Sequence, residues 1–195
     1  MTSRALFIAV GLLSLLFTAC SQIPTRPAAD WAPPAWNAWE LQGRIAVRAG
    51  EEGWHASLKW QQNGAGYQAD LSGPLGQGAL RLRGDDAGVT LERANGERDQ
   101  STDADALLAR HTGWSLPVKG LRYWVLGLEA PGSAADWERD ISGRPQILRQ
   151  DGWVIRYTDF LEQPGLGQLP RRIDMERAGL NARLLIDSWT VQQPD

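Results

Sequence analysis

The chain has 195 residues, 43% of them hydrophobic and 22% charged, with a formal net charge of −3 at neutral pH. That is enough apolar material for one globular domain with a buried core. The arginines are scattered and only two lysines accompany them, so the chain offers no basic stripe for nucleic acid.

The first segment differs in kind from the rest. Arg4 precedes the apolar run "ALFIAVGLLSLLF" (residues 5–17), which ends in small residues at Thr18 and Ala19. This reads as a signal peptide over residues 1–19, too short to span a bilayer comfortably. Cys20, the single cysteine, follows at once. A lone cysteine forms no intramolecular disulfide, and the order apolar–Thr–Ala–Cys resembles the bacterial lipobox, with Phe17 where leucine is usual. That resemblance implies that Cys20 becomes the acylated first residue of the mature chain. One acyl chain gives only marginal membrane binding, whereas three hold almost permanently, at about 0.8 kcal/mol per buried CH₂. Ser21 stands where an aspartate would retain a lipoprotein at the inner membrane, so the outer membrane is the expected destination. Without residues 1–19, nineteen basic residues face 23 acidic ones.

Residues 20–35 are the acylated start and a tether, with four prolines and little periodicity. "WNAWEL" reads as a short helix with Asn37 near its start. From Leu41 the pattern alternates. Leu41, Gly43, Ile45 and Val47 fall on one face, as do Ala56, Leu58 and Trp60, then Tyr67, Ala69 and Leu71, then Leu80 and Leu82, then Val89 and Leu91. Arg44, Lys59, Arg81 and Arg83 take the other face. Glycine-rich turns separate these runs, which predicts five or six antiparallel strands with one wet face.

The middle is helical. Thr102 is the predicted cap of a helix with Ala104, Leu107 and Leu108 on one side and Gly113 as its stop. Leu121, Trp124, Val125 and Leu128, after Pro117, repeat at helical spacing and form a second apolar stripe. Strands return with "PQILRQ", "GWVIRYTDF", "RRIDMERA" and "LNARLLIDSW", where Ile155 and Leu184 are expected inward and Arg156 outward. The fold class is therefore mainly β with a helical insert (α+β). Nine to eleven strands curl into an open, incomplete antiparallel β-barrel with a helical lid over a hydrophobic interior. Whether that interior is a packed core or a hollow one is not decided by the pattern, because the same apolar residues serve both.

Catalytic signatures are thin. His55 and His111 have no metal-ligand neighbours at usable spacing. No nucleophile elbow or P-loop is present. Asp85/Asp86 and Asp103/Asp105 lie in a turn and a helix first turn, where aspartate is structurally favoured. Ten tryptophans read first as core, and second as the wall of a cavity. Leu75, between Pro74 and Gly76 in "SGPLGQG", either folds back as a plug or stands exposed, forgoing about 1.5–3 kcal/mol of burial.

Taken together, Cys20, "GRIAVR", "LSGPLGQGALRL", "LPVKGLRYWVLG", "GWVIRYTDF", "LPRRIDM" and "LLIDSW" resemble the LolB family over residues 36–191. "VLGLEAPG" departs slightly from the family run at Glu129. The resemblance implies one lipoprotein-binding half-barrel over 36–195, a monomer without catalytic residues, metal or cofactor. It also implies acceptance of lipoproteins from the periplasmic carrier LolA, with acyl chains held in a cavity and then placed in the inner leaflet of the outer membrane. Cys20 would be the lipid anchor and Leu75 the membrane-inserting residue. Ile45, Leu58, Trp60, Leu71, Leu82, Leu121, Trp124, Ile155 and Leu184 would line the acyl-chain cavity. A structural lipoprotein with a filled barrel is the alternative from another class; an enzyme would need clustered histidines and carboxylates that the sequence does not supply.

Overall fold

Alternation of apolar and polar side chains is carried through into one antiparallel sheet. The structure, a computed structural model, describes residues 31–191 apart from 33, 35, 77, 165 and 166, with the Leu75 side chain also left aside. Cys20, the signal segment and most of the tether lie outside the described residues.

Eleven strands follow in chain order: β1 Ala38–Ala49, β2 Glu52–Asn63, β3 Gly66–Ser72, β4 Leu80–Gly84, β5 Val89–Arg93, β6 Arg98–Ser101, β7 Ala135–Arg139, β8 Pro145–Gln150, β9 Trp153–Gln163, β10 Gly167–Arg177 and β11 Leu180–Val191. Two helices, α1 Ala104–Thr112 and α2 Val118–Trp124, stand between β6 and β7. The sheet order is β6-β5-β4-β3-β2-β1-β11-β10-β9-β8-β7, so β1 and β11 join the two halves and β6 and β7 are the free edges. The helices therefore connect one edge of an unclosed sheet to the other. Residues 36–38 enter β1 at what we call the tether end. The β1–β2 turn and the Pro74–Gly76 turn lie at the opposite, loop end.

The first strand begins earlier than the sequence suggests. "WNAWEL" is not a helix: Ala38 pairs with Asn63, and Trp39 lies between Gln62 and Val191. Trp39 and Leu41 are both buried while Gln42 is exposed, so the inward alternation already runs through this segment. The tryptophan spacing had imitated a helical repeat. A register shift at Gln42/Gly43 bulges the β1–β11 pairing. A Cβ at Gly43 would collide with the Leu185 carbonyl oxygen, so close backbone approach requires glycine here.

Asp103, not Thr102, caps α1; its carboxylate accepts the N–H groups of Asp105 (3.0 Å) and Ala106 (3.2 Å). Ser101 Oγ accepts the Asp103 N–H at 3.0 Å, which leaves the following aspartate at the cap position. Gly113 ends α1 with φ of 83°, as expected of a left-handed cap. Asp105 Oδ1 accepts the Val118 N–H at 2.8 Å and ties α1 to the start of α2. Helix α2 stops at Trp124, and Gly127 at φ 73° turns the chain away before Leu128.

Candidate functional site

Every inward-facing residue expected of the apolar interior is inward. Ile45, Leu58, Trp60, Leu71, Leu82, Leu121, Trp124, Ile155 and Leu184 are all buried, with Trp124 and Ile155 at 0% exposure. Arg44, Lys59, Arg81, Arg83 and Arg156 are exposed on the opposite face. Arg44 pairs with Asp187, Lys59 with Glu40, Arg81 with Asp70, and Arg156 with Glu176. That outer face is a ladder of compensated surface pairs, each worth little to stability.

The interior set belongs to one continuous apolar cluster. Trp39 packs on Trp60 (centroids 5.9 Å) and on Trp189 (5.5 Å), filling the tether end. At the loop end Trp54 meets Trp114, which follows α1, at 5.3 Å. The partly open concavities bordering the described residues include five of about 350 to 690 Å³. Of the nine interior residues, only Ile45 touches one of them. In this structure the interior is packed, with the helices seated on it.

The seating of α2 is specific. Trp124 packs against Trp153 of β9 with ring centroids 6.3 Å apart and the rings tilted by 57°. Its indole N–H donates to Gln150 Oε1 (2.8 Å), which also accepts the Ala130 N–H (2.9 Å). Gln150 Nε2 donates to the carbonyl of Ala130 at 2.7 Å. Tyr157 O–H donates to the Trp124 carbonyl at 3.0 Å. Burial pushes the Tyr157 phenol far above its usual range, so it remains a donor. These are the buried polar contacts that fix the helix to the sheet. The sequence marked Trp124 but gave no sign of Gln150, a polar residue at a core position. Trp60 and Trp189 also donate, to Gln62 Oε1 and the Pro170 carbonyl. The Trp153 N–H has no partner among the described residues.

Helix α1 is held at its far end by charge. Asp99 of β6 accepts from Arg110 (3.0 Å) and faces His111 Nε2 at 2.9 Å. The hydrogen bonds from His111 and then Arg110 hold its carboxyl down at about 2. Asp105, half-buried between the helices, is raised by burial against the opposing hydrogen bond from Val118. His55 stands exposed on the outer face. Among the described residues no group of three histidines, cysteines or carboxylates is placed to hold a metal. Nor is any helix long and apolar enough to cross a membrane. Leu75 lies in a one-turn helix at the loop end, beyond β3.

An unclosed antiparallel sheet whose edges are bridged by helices over an apolar inner face defines a recognisable class. A crystal structure of a LolA superfamily protein from Nitrosomonas europaea superposes with a TM-score of 0.54 at 12% identity, covering 86% of this chain and 92% of that one. A putative outer membrane lipoprotein-sorting protein domain from Vibrio parahaemolyticus gives 0.54 at 7% identity, covering 80% and 86%. At such identities the likeness is one of fold.

Sequence carries the assignment further. The family described as "Outer membrane lipoprotein LolB" matches residues 37–189. Proteins of that name are 37% identical in Alkalilimnicola ehrlichii, over 96% of this chain and 98% of the relative. In Pseudomonas paraeruginosa the figures are 36%, 96% and 97%, and in Nitrosococcus oceani 43%, 77% and 75%. The chain belongs to the LolB family of outer-membrane lipoproteins.

Proposed function

We propose that this protein receives lipoproteins from the periplasmic carrier LolA, shelters their acyl chains between the inner face of the sheet and helices α1 and α2, and releases them into the inner leaflet of the outer membrane. The supporting observation is the open sheet itself. Its apolar inner face is covered by two helices that join its free edges, so the cover can move without breaking the strand ladder. Ile45, Leu58, Trp60, Leu71, Leu82, Leu121, Trp124, Ile155 and Leu184 are the surfaces that acyl chains would meet once α2 lifts. No covalent step is required, and the protein acts as a monomeric binding protein rather than an enzyme. Transfer proceeds because the chains gain apolar burial at each stage, ending in the bilayer.

The signal peptide over 1–19, acylation at Cys20 and the tether over 20–35 belong to the same reading. They place the domain at the membrane that receives the cargo. A concavity of about 430 Å³ lined by Trp54, Leu80 and Trp114 adjoins the loop that carries Leu75. It is the proposed exit, because Trp54 and Trp114, which pack against the apolar core, line it together with Gly78 of that loop.

A reconstituted transfer tests this. Lipoprotein loaded on LolA should pass to the mature protein and then to liposomes, and the acyl chains should become protected from solvent in between. The packed interior favours a second reading, a structural lipoprotein whose barrel never opens. Under that reading, a triacylated lipopeptide would not bind.

A further inference from the structure

Among the described residues, Ile141 is the large hydrophobic side chain left fully exposed, at 101%. It sits at the tip of the β7–β8 hairpin. A single exposed apolar residue is unremarkable by itself; its support and its neighbour give this one meaning.

The tip is built to hold Ile141 outward. The Asp140 carboxylate accepts from the Ser142 N–H (2.9 Å), Ser142 Oγ (2.7 Å), the Arg144 N–H (3.0 Å) and Arg144 Nε (2.9 Å). Gly143 takes φ 78° and donates its N–H to the Asp140 carbonyl at 2.9 Å. Arg144 also reaches Gln168 Oε1 at 3.0 Å. A turn closed by this many bonds does not fold its isoleucine back onto the sheet.

The tether docks on the next residue. The Trp31 N–H donates to the Ser142 carbonyl at 2.8 Å, and its indole N–H donates to the Gln168 carbonyl at 3.3 Å. The Arg139 guanidinium lies 5.5 Å from the Trp31 ring centroid and 4.2 Å from that of Trp137. Between Cys20 and this docked tryptophan runs a stretch of chain that spans at most about 40 Å when fully extended. The end of the sheet that carries Ile141 is therefore the end tied to the acylated cysteine.

We infer that Ile141 is a membrane contact of the anchored protein, entering the headgroup–acyl boundary of the leaflet that holds the Cys20 acyl chains. Arg139 beside it suits anionic phospholipid headgroups. This contact is separate from the one proposed for Leu75, which lies at the other end of strands about 40 Å long. It rests on the acylation of Cys20 but not on cargo transfer.

The test uses the full mature chain in vesicles of phosphatidylethanolamine and phosphatidylglycerol. Acylation occupies the Cys20 sulfur, so Ile141→Cys supplies the one free thiol for an environment-sensitive fluorophore; Ser57→Cys, exposed midway along β2 on the outer face and away from both ends of the sheet, is the reference. Doxyl-labelled lipid should quench the label at 141 and leave the one at 57 unaffected, while aqueous iodide should do the reverse. The same pattern at 141 should persist with Leu75→Glu, even where cargo delivery stops. A label at 141 quenched by iodide and untouched by doxyl lipid would overturn the contact. Failure of the unlabelled protein to float with vesicles would defeat the anchor reading, and the contact with it.

Discussion

Removing the Tyr157 hydroxyl is expected to weaken the fold and strengthen cargo binding at the same time. The hydroxyl donates to the carbonyl of Trp124, the last residue of α2, at 3.0 Å. That carbonyl also accepts the Gly127 N–H at 3.0 Å, so Tyr157→Phe leaves no orphaned acceptor. The loss is then that of one neutral buried bond, about 1 kcal/mol. The interior is packed beneath α2, so under the proposed function acyl chains would bind only to the fraction of molecules in which the helix has lifted, and the measured affinity would scale with that fraction. Weakening the closed state by about 1 kcal/mol raises the open fraction about fivefold. Fluorescence titration with a triacylated lipopeptide should show an affinity gain near that factor. Urea denaturation should show a matching loss of stability. Equal or weaker lipopeptide binding alongside the lost stability would refute the idea that α2 must lift.

Leu75→Glu should leave thermal stability and acceptance from LolA near normal but stop transfer into liposomes; a large fall in melting temperature would instead mark Leu75 as a plug. Gly43→Ala should cost about 1–3 kcal/mol, because the added methyl meets backbone rather than a yielding side chain; chemical denaturation measures it. Acid should unfold the protein partly through Asp99 and Asp140, whose carboxyls are held at about 2 against an ordinary 3.8. A depressed carboxyl adds stability above its unfolded pKa, and that stability is lost as pH falls from 3.8 towards 2. Urea midpoints for Asp99→Asn should therefore decline less steeply over that window than those of the parent, whereas an identical slope would show that the α1 clamp contributes nothing.

Strands were legible wherever one face alternated without interruption, as in β1 from Leu41, β2 and β11, because burial on one side of a sheet writes a period of two directly into the sequence. Edge strand β7 was not legible. "ADWER" offers only Ala135 and Trp137 as apolar residues among charges, and Trp137 is placed by contacts the segment itself does not show: it stacks on Tyr157 at 6.2 Å and donates its indole N–H to Glu129 at 3.0 Å. The interior residues were readable as inward, yet their packing together was not, since filled and hollow interiors demand the same side chains. Gln150 carries no signal in the sequence for a different reason. Its value lies in partners at Trp124 and Ala130 that the fold alone brings near. Trp31 looked like one more tether residue until its docking beside Ile141 set the tether's effective length.

Under the proposed function, the packed space beneath α2 becomes the acyl-chain site. A triacylated lipopeptide with a diazirine near the middle of its acyl chains, irradiated in complex with the mature protein and mapped by mass spectrometry, addresses this directly. Adducts should fall on the inward set, at Leu58, Trp60, Trp124, Ile155 and Leu184. Labelling confined to the outer-face concavity around Arg44, Ser57 and Leu185, with the inward set unmodified, would contradict it.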